Sequence, residues 1–139
     1  MEMKYRQELE ALPDCPPRSC QPCERHAYRF VYAEIGDSRN FLPAAKRNPA
    51  REFDSDEARC FSHALSFFST QVLAIAFFRR LRMRHRNVAK TVGTCLAVGN
   101  LNAADGVASV VREDGHFSFF EAMGVELSDR FQIVEVLVP

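Results

Sequence analysis

The chain has no tryptophan, only six glycines, and no surplus of charge, since 18 lysines and arginines balance 18 aspartates and glutamates. Sparse glycine beside seven prolines excludes collagen-like and low-complexity architectures. A balanced charge removes any global attraction to nucleic acid or an anionic membrane, and leaves only local patches to be weighed. The opening residues Met1, Glu2, Met3, Lys4, Tyr5, Arg6, Gln7 and Glu8 are polar and of mixed charge, so no secretory leader is expected there. The longest apolar stretch, residues 61–78, is interrupted by Ser62, His63, Ser66, Ser69, Thr70 and Gln71. That speaks against a spanning helix in spite of the arginines that follow, and no membrane association is expected. The chain also lacks G-x-S-x-G, a P-loop, G-x-G-x-x-G and H-E-x-x-H.

What remains is an ordinary globular composition, 47% hydrophobic and 26% charged over 139 residues. A chain of this length buries roughly two-thirds of its unfolded surface and needs no disulfide to keep a core. Five cysteines leave at least one unpaired, which favours reduced thiols and a cytoplasmic setting.

Residues 3–12 carry Tyr5, Leu9 and Leu12 at helical spacing. Residues 14–22 hold three prolines and two cysteines and read as a linker. Aromatic and β-branched residues predict a first strand over 28–35, ended by Gly36. Pro43 and Pro49 predict an extended loop over 41–53. Ser55, Asp56 and Glu57 open a helical turn, and residues 61–68 are expected to be a strand. Ser69 or Thr70 caps a helix that runs to about Arg86, with an apolar stripe of Leu73, Phe77 and Leu81 beside Val72 and Ala76. Further strands are expected over 94–101 and 131–138, the last in a central or well-covered position because its run is so apolar. Residues 107–111 and 116–120 form a hairpin across Asp114-Gly115, a pair suited to positive φ. The sum is an α+β domain over residues 27–139: a mostly antiparallel, curved sheet of about five or six strands with one main helix packed on it. Residues 1–26 form an arm with a short helix and a cysteine-rich linker.

The arm supplies the first candidate chemistry. Cys20-x-x-Cys23 has the spacing at which two thiolates reach one tetrahedral zinc, and Cys60-x-x-His63 supplies a second pair. Cys15 and His26 are the alternative partners. The competing expectation makes Cys60 and Cys95 small buried residues, and Cys15, Cys20 and Cys23 free thiols on a loose arm.

The second candidate is Leu65-Ser66-Phe67-Phe68-Ser69-Thr70, leading into a helix with Ala74, Ala76, Phe77 and Phe78. This segment resembles part of the ADP-ribosyltransferases of the diphtheria-toxin and poly-ADP-ribose polymerase type. The resemblance implies NAD as a cofactor, with its nicotinamide ring sandwiched between Phe68 and Phe77 or Phe78. It implies a ribose-holding role for His26, and Glu121 or Glu135 as the acid that stabilises the developing oxocarbenium ion.

The third candidate is the basic helix end. Arg79, Arg82 and Arg86 are expected to share one face, able to hold nucleic-acid phosphates. A solvated helix terminus that suits the dipole is the competing account. No nucleophile and base can be paired from the sequence. The leading functional expectation is a non-enzymatic binding or accessory protein acting through a protein partner, by an exposed apolar patch around Phe117 and Phe119. The alternatives are an ADP-ribosyltransferase-like NAD-using enzyme and a zinc-stabilised nucleic-acid-binding module.

Overall fold

A computed structural model describes all residues, 1–139. Six strands form one antiparallel sheet: β1 (Arg25–Val31), β2 (Leu65–Phe68), β3 (Cys95–Leu101), β4 (Gly106–Ala108), β5 (His116–Glu121) and β6 (Gln132–Val136), in the spatial order β4-β5-β2-β1-β3-β6. Five helices accompany it: α1 (Arg6–Glu10), α2 (Ala44–Arg47), α3 (Asp56–Phe61), α4 (Gln71–Arg84) and α5 (Val88–Thr91). The fold is therefore α+β, with one long helix on the sheet.

Strand alternation builds two cores. On one face Ala27, Val31, Leu65, Phe67, Ala97, Phe117 and Phe119 meet Leu127 and Phe131. On the other, Phe68 and Leu96 pack against Ala74 of α4, with Phe30 and Phe77 beside them. Thr70 starts α4 by accepting the Leu73 amide on its hydroxyl at 3.2 Å. Ser55 does the same for α3, accepting from Ala58 at 3.0 Å. The residues of α4 that sink fully are Ala74 and Phe78, while Val72 is exposed. The buried stripe is thus rotated from the expected Val72 side. The helix ends at Arg84, so Arg86 lies beyond it and shares no helical face with Arg79 and Arg82.

Several boundaries differ from expectation for local reasons. β1 begins at Arg25, three residues early, because Arg25, His26 and Ala27 pair with Leu101, Asn100 and Gly99 of β3. The helical turn opened by Ser55 runs on through Phe61, so the strand expected from residue 61 begins only at Leu65; the Ser55 cap and acidic first turn of α3 outweigh the start of the apolar run. α2 is a single turn inside the predicted loop, between its two prolines. In the hairpin, Gly115 takes φ +87 as the turn requires, but β4 stops at Ala108. β6 is an edge strand rather than a covered one: Val134 and Val136 are 41% and 59% exposed. Its run is apolar on both faces, yet only one flank finds a neighbour.

The N-terminal arm is fastened down. Cys15 and Cys60 form a disulfide, leaving Cys20, Cys23 and Cys95 free. Leu9 of α1 is buried with Cys60, Ala64 and Phe120, and short bridges join Met3 to Ala122 and Gln21 to Ala108. The expectation of a free thiol at Cys15 is corrected by this bond, which spacing alone does not reveal, while Cys60 is buried as expected.

One polar lock ties the turn after β3 to the segment before β6. Asp105 accepts from both Nη nitrogens of Arg130 at 2.6 Å and also from the Asn102 amide at 2.6 Å. The Arg130 hydrogen bonds hold the Asp105 carboxyl below its ordinary 3.8, and burial opposes them only in part. A lowered carboxyl contributes stability above its unfolded value, and that contribution fades as pH falls below about 3.8. Asp105→Asn is expected to cost about 2 kcal/mol at pH 7, less than a fully buried pair because Arg130 is a third open to water. Urea denaturation at pH 7 and at pH 3 checks it: the gap between wild type and variant should close at the lower pH.

Candidate functional site

β1 and β2 are neighbours that share a single register pair, Tyr28 with Phe68. Past that pair the Arg29 side chain stands in for further strand pairing. Its Nε donates to the Asn40 carbonyl at 2.7 Å and its Nη1 to the Ser66 carbonyl at 2.9 Å. A cleft of about 340 Å³ opens there. Its floor is Phe30, Ser66, Phe68 and His116 from the sheet, and its walls come from Phe77 and Leu81 of α4 and from residues 39–47.

The cleft is basic. Arg29, Arg39, Arg47, Arg112 and His116 line it, and no aspartate or glutamate does. Two of the four guanidiniums are neutralised at its margin, Arg39 by Asp37 at 2.6 Å and Arg112 by Asp114 at 3.3 Å. Arg29 and Arg47 take part in no ion pair. Arg47 instead donates to the Tyr32 hydroxyl at 2.8 Å, which in turn donates to the Lys90 carbonyl. Burial pulls the Arg29 guanidinium down to about 10, with Glu121 opposing and Arg47 adding to the fall. It remains charged at neutral pH. Two cations without a carboxylate partner line one partly apolar cavity, Arg29 from the gap between the strands where it lies over Phe41 and Phe67, and their positive field favours an anion there.

Beside these cations lies a polar pair that residue spacing does not reveal. β2 and β5 pair Ser66 with Ser118 and Phe68 with His116, which sets Ser66 and His116 diagonally on one face. The His116 Nε2 and the Ser66 hydroxyl are 3.0 Å apart. The His116 ring stands edge-on to Phe68 at 5.6 Å. Burial, and then Arg112, lower the His116 pKa from 6.5 while Asp114 opposes, so the imidazole is neutral at pH 7.

The residues singled out by the resemblance are only partly gathered. Phe68 and Phe77 do face each other, but their rings are in contact, with centroids 4.9 Å apart. A ring held between them needs roughly 7 Å, two aromatic contact distances. Phe78 is buried beneath α4 against Phe30. His26 lies in β1, exposed, opposite Asn100. Glu135 is exposed on the edge strand β6. Glu121 ends β5 outside the cleft, in a neighbouring hollow of about 280 Å³. There its Oε2 meets Lys4 at 3.1 Å, its Oε1 has no partner, and burial raises its pKa against the pull of Lys4.

The metal candidates are not assembled. Cys60 is bonded to Cys15, and no three His, Cys, Asp or Glu side chains are arranged to hold a metal ion. The His63 ring sits against its own helix end, with Nδ1 2.9 Å from the Arg59 carbonyl. Arg79 and Arg82 are solvated near the end of α4, and Arg86 beyond it is exposed too. Phe117 and Phe119 are completely buried, which corrects the expected apolar patch: they point to the inner face, and of the alternate positions of β5 His116 and Ser118 are half-buried and Phe120 is buried. No helix is long and apolar enough to cross a membrane. No protein-family model, no curated protein and no solved structure matches the chain.

Proposed function

We propose that this protein binds a small phosphorylated ligand of nucleotide type in the cleft between β1 and β2. The observation that carries the reading is the pair of guanidiniums, Arg29 and Arg47, with no carboxylate partner in a cavity whose other walls are aromatic and aliphatic. A phosphate satisfies the cations, and a base or similar ring matches Phe30, Phe68 and Tyr32. The reading keeps the expected class, a binding protein, and replaces the protein partner by a small molecule, since the surface expected to meet a protein is core. NAD enters as one nucleotide among those to be tried. The closed Phe68–Phe77 pair and the placement of Glu121 give NAD cleavage no position in this cleft. Zinc and nucleic-acid binding have no assembled site to support them. The cytoplasmic setting is a separate proposal: the free thiols of Cys20, Cys23 and Cys95 favour it, and the Cys15–Cys60 bond, of a kind rare in reducing compartments, counts against it.

Calorimetric titration with ADP and with NAD tests the reading. Binding should weaken as salt rises. Arg47→Met should cost about tenfold to a hundredfold in affinity, the range for one lost charged hydrogen-bonding partner. Absence of binding to either nucleotide, or an unchanged affinity in Arg47→Met, overturns it. Arg47 is a surface-reaching residue of α2 with no ion pair to lose, so the variant should fold.

A further inference from the structure

We infer that Ser66 and His116 form a nucleophile and base that hydrolyse a phosphoric monoester held in the arginine cleft. The inference rests on the anion-binding reading of that cleft and adds a reaction to it.

Four independent features meet at this point. The Ser66 hydroxyl and His116 Nε2 are at hydrogen-bonding distance, 3.0 Å, as a nucleophile and its base must be. Both residues line the cleft, and Ser66 is exposed to it. The main chain of His116 is held by its amide donating to Asp114 at 3.0 Å and its carbonyl accepting from the Arg112 amide at 2.9 Å, and its ring abuts Phe68. The Arg29 guanidinium is anchored on the carbonyl of Ser66 itself at 2.9 Å. A cation is thereby held at the main chain of the nucleophile, over the Phe41 and Phe67 rings, and its field favours negative charge at the neighbouring hydroxyl. In the tautomer with its proton on Nδ1, His116 presents a bare Nε2 to the hydroxyl.

The reaction balances with water as the only co-reactant. Ser66 Oγ attacks phosphorus and passes its proton to His116 Nε2. The bond from phosphorus to the ester oxygen breaks, and His116 returns the proton to the departing alcohol or phenol. A phosphoseryl chain remains. Water then attacks phosphorus, His116 takes a proton from it, and the Ser66 oxygen leaves and recovers that proton. Inorganic phosphate is released and the protein is restored. The apolar rings of the cleft select a monoester with an aromatic leaving part.

The test uses the full chain and p-nitrophenyl phosphate, followed by release of p-nitrophenolate, with ADP titration run in parallel. Wild type should release the phenolate. Ser66→Ala should lower kcat at least about a hundredfold while ADP affinity stays within a few-fold. Acid quenching during turnover should trap one phosphoryl group on the peptide that contains Ser66. His116→Gln should lower kcat comparably. ADP binding without any phenolate release by wild type overturns the inference and leaves the binding reading standing. Hydrolysis unchanged in Ser66→Ala also overturns it. Failure of both ADP binding and hydrolysis ends the two readings together.

Discussion

Phe67→Ala is expected to cost about 3–5 kcal/mol, the range for removing a fully buried aromatic side chain. Phe67 has no exposure at all. Its ring meets Phe117 at 5.8 Å, Phe119 at 5.9 Å and Phe131 at 5.6 Å between centroids, so it joins β2, β5 and the segment before β6 in one cluster. Strand geometry prevents these neighbours from collapsing into the space it would leave, because their backbones are fixed by the Phe67–Phe117 and Leu65–Phe119 register. A domain with about 5–15 kcal/mol of total stability loses a large share of it by that change. The effect should extend to the cleft, since Ser66 and Phe68 flank Phe67 and point into the cavity on the opposite face. Urea denaturation of the variant, beside Val136→Ala at the exposed edge as a control within about 0.5 kcal/mol, measures it. A loss below 1 kcal/mol for Phe67→Ala would show that the aromatic cluster is not the centre of the core.

The elements that a local pattern specifies were legible: the Thr70 cap and the helix after it, the Cys95–Leu101 strand, and the turn at Asp114-Gly115. The cleft was not, because its parts are spread along the chain. Arg29, Arg39, Arg47 and Arg112 belong to four separate segments, and Ser66 and His116 are 50 residues apart in sequence. Only the register of β2 with β5 makes neighbours of the last two. The conspicuous arginines, Arg79 to Arg86, drew attention by adjacency, yet they are the solvated end of a helix and the turn after it. One signal was available for Arg29. It alternates with Ala27 and Val31, both completely buried, so a charged residue stands on the inner side of a strand and needs a partner there. For β6 the pattern misled in the other direction: hydropathy reports what a strand can bury, and topology decides whether a neighbour arrives to cover it.

Breaking the Cys15–Cys60 bond should have an effect of similar size, about 4 kcal/mol, from the chain entropy restored to an unfolded loop closed across 45 residues. The loop matters for the site as well as for stability. It encloses β1 and α2, and with them Arg29, Arg39 and Arg47, three of the four guanidiniums of the cleft. Its closure point, Cys60, is buried with Leu9 and Phe120 where the arm meets α3 and β5. The reduced protein should therefore unfold at lower denaturant and also bind nucleotide less tightly, because the wall formed by residues 39–47 is then held only by its own packing. Thiol counting after denaturation without reductant gives the state directly, three for the bonded chain and five for the reduced one, since Cys95 is buried in the native fold. Denaturation and ADP titration on samples of each state measure the two consequences. A stability difference below 1 kcal/mol would show that packing of Leu9, Ala64 and Phe120 fastens the arm without the bond. A stability loss with unchanged affinity would show that the cleft is set by Arg29 and its two carbonyl anchors alone, independent of the loop that carries it.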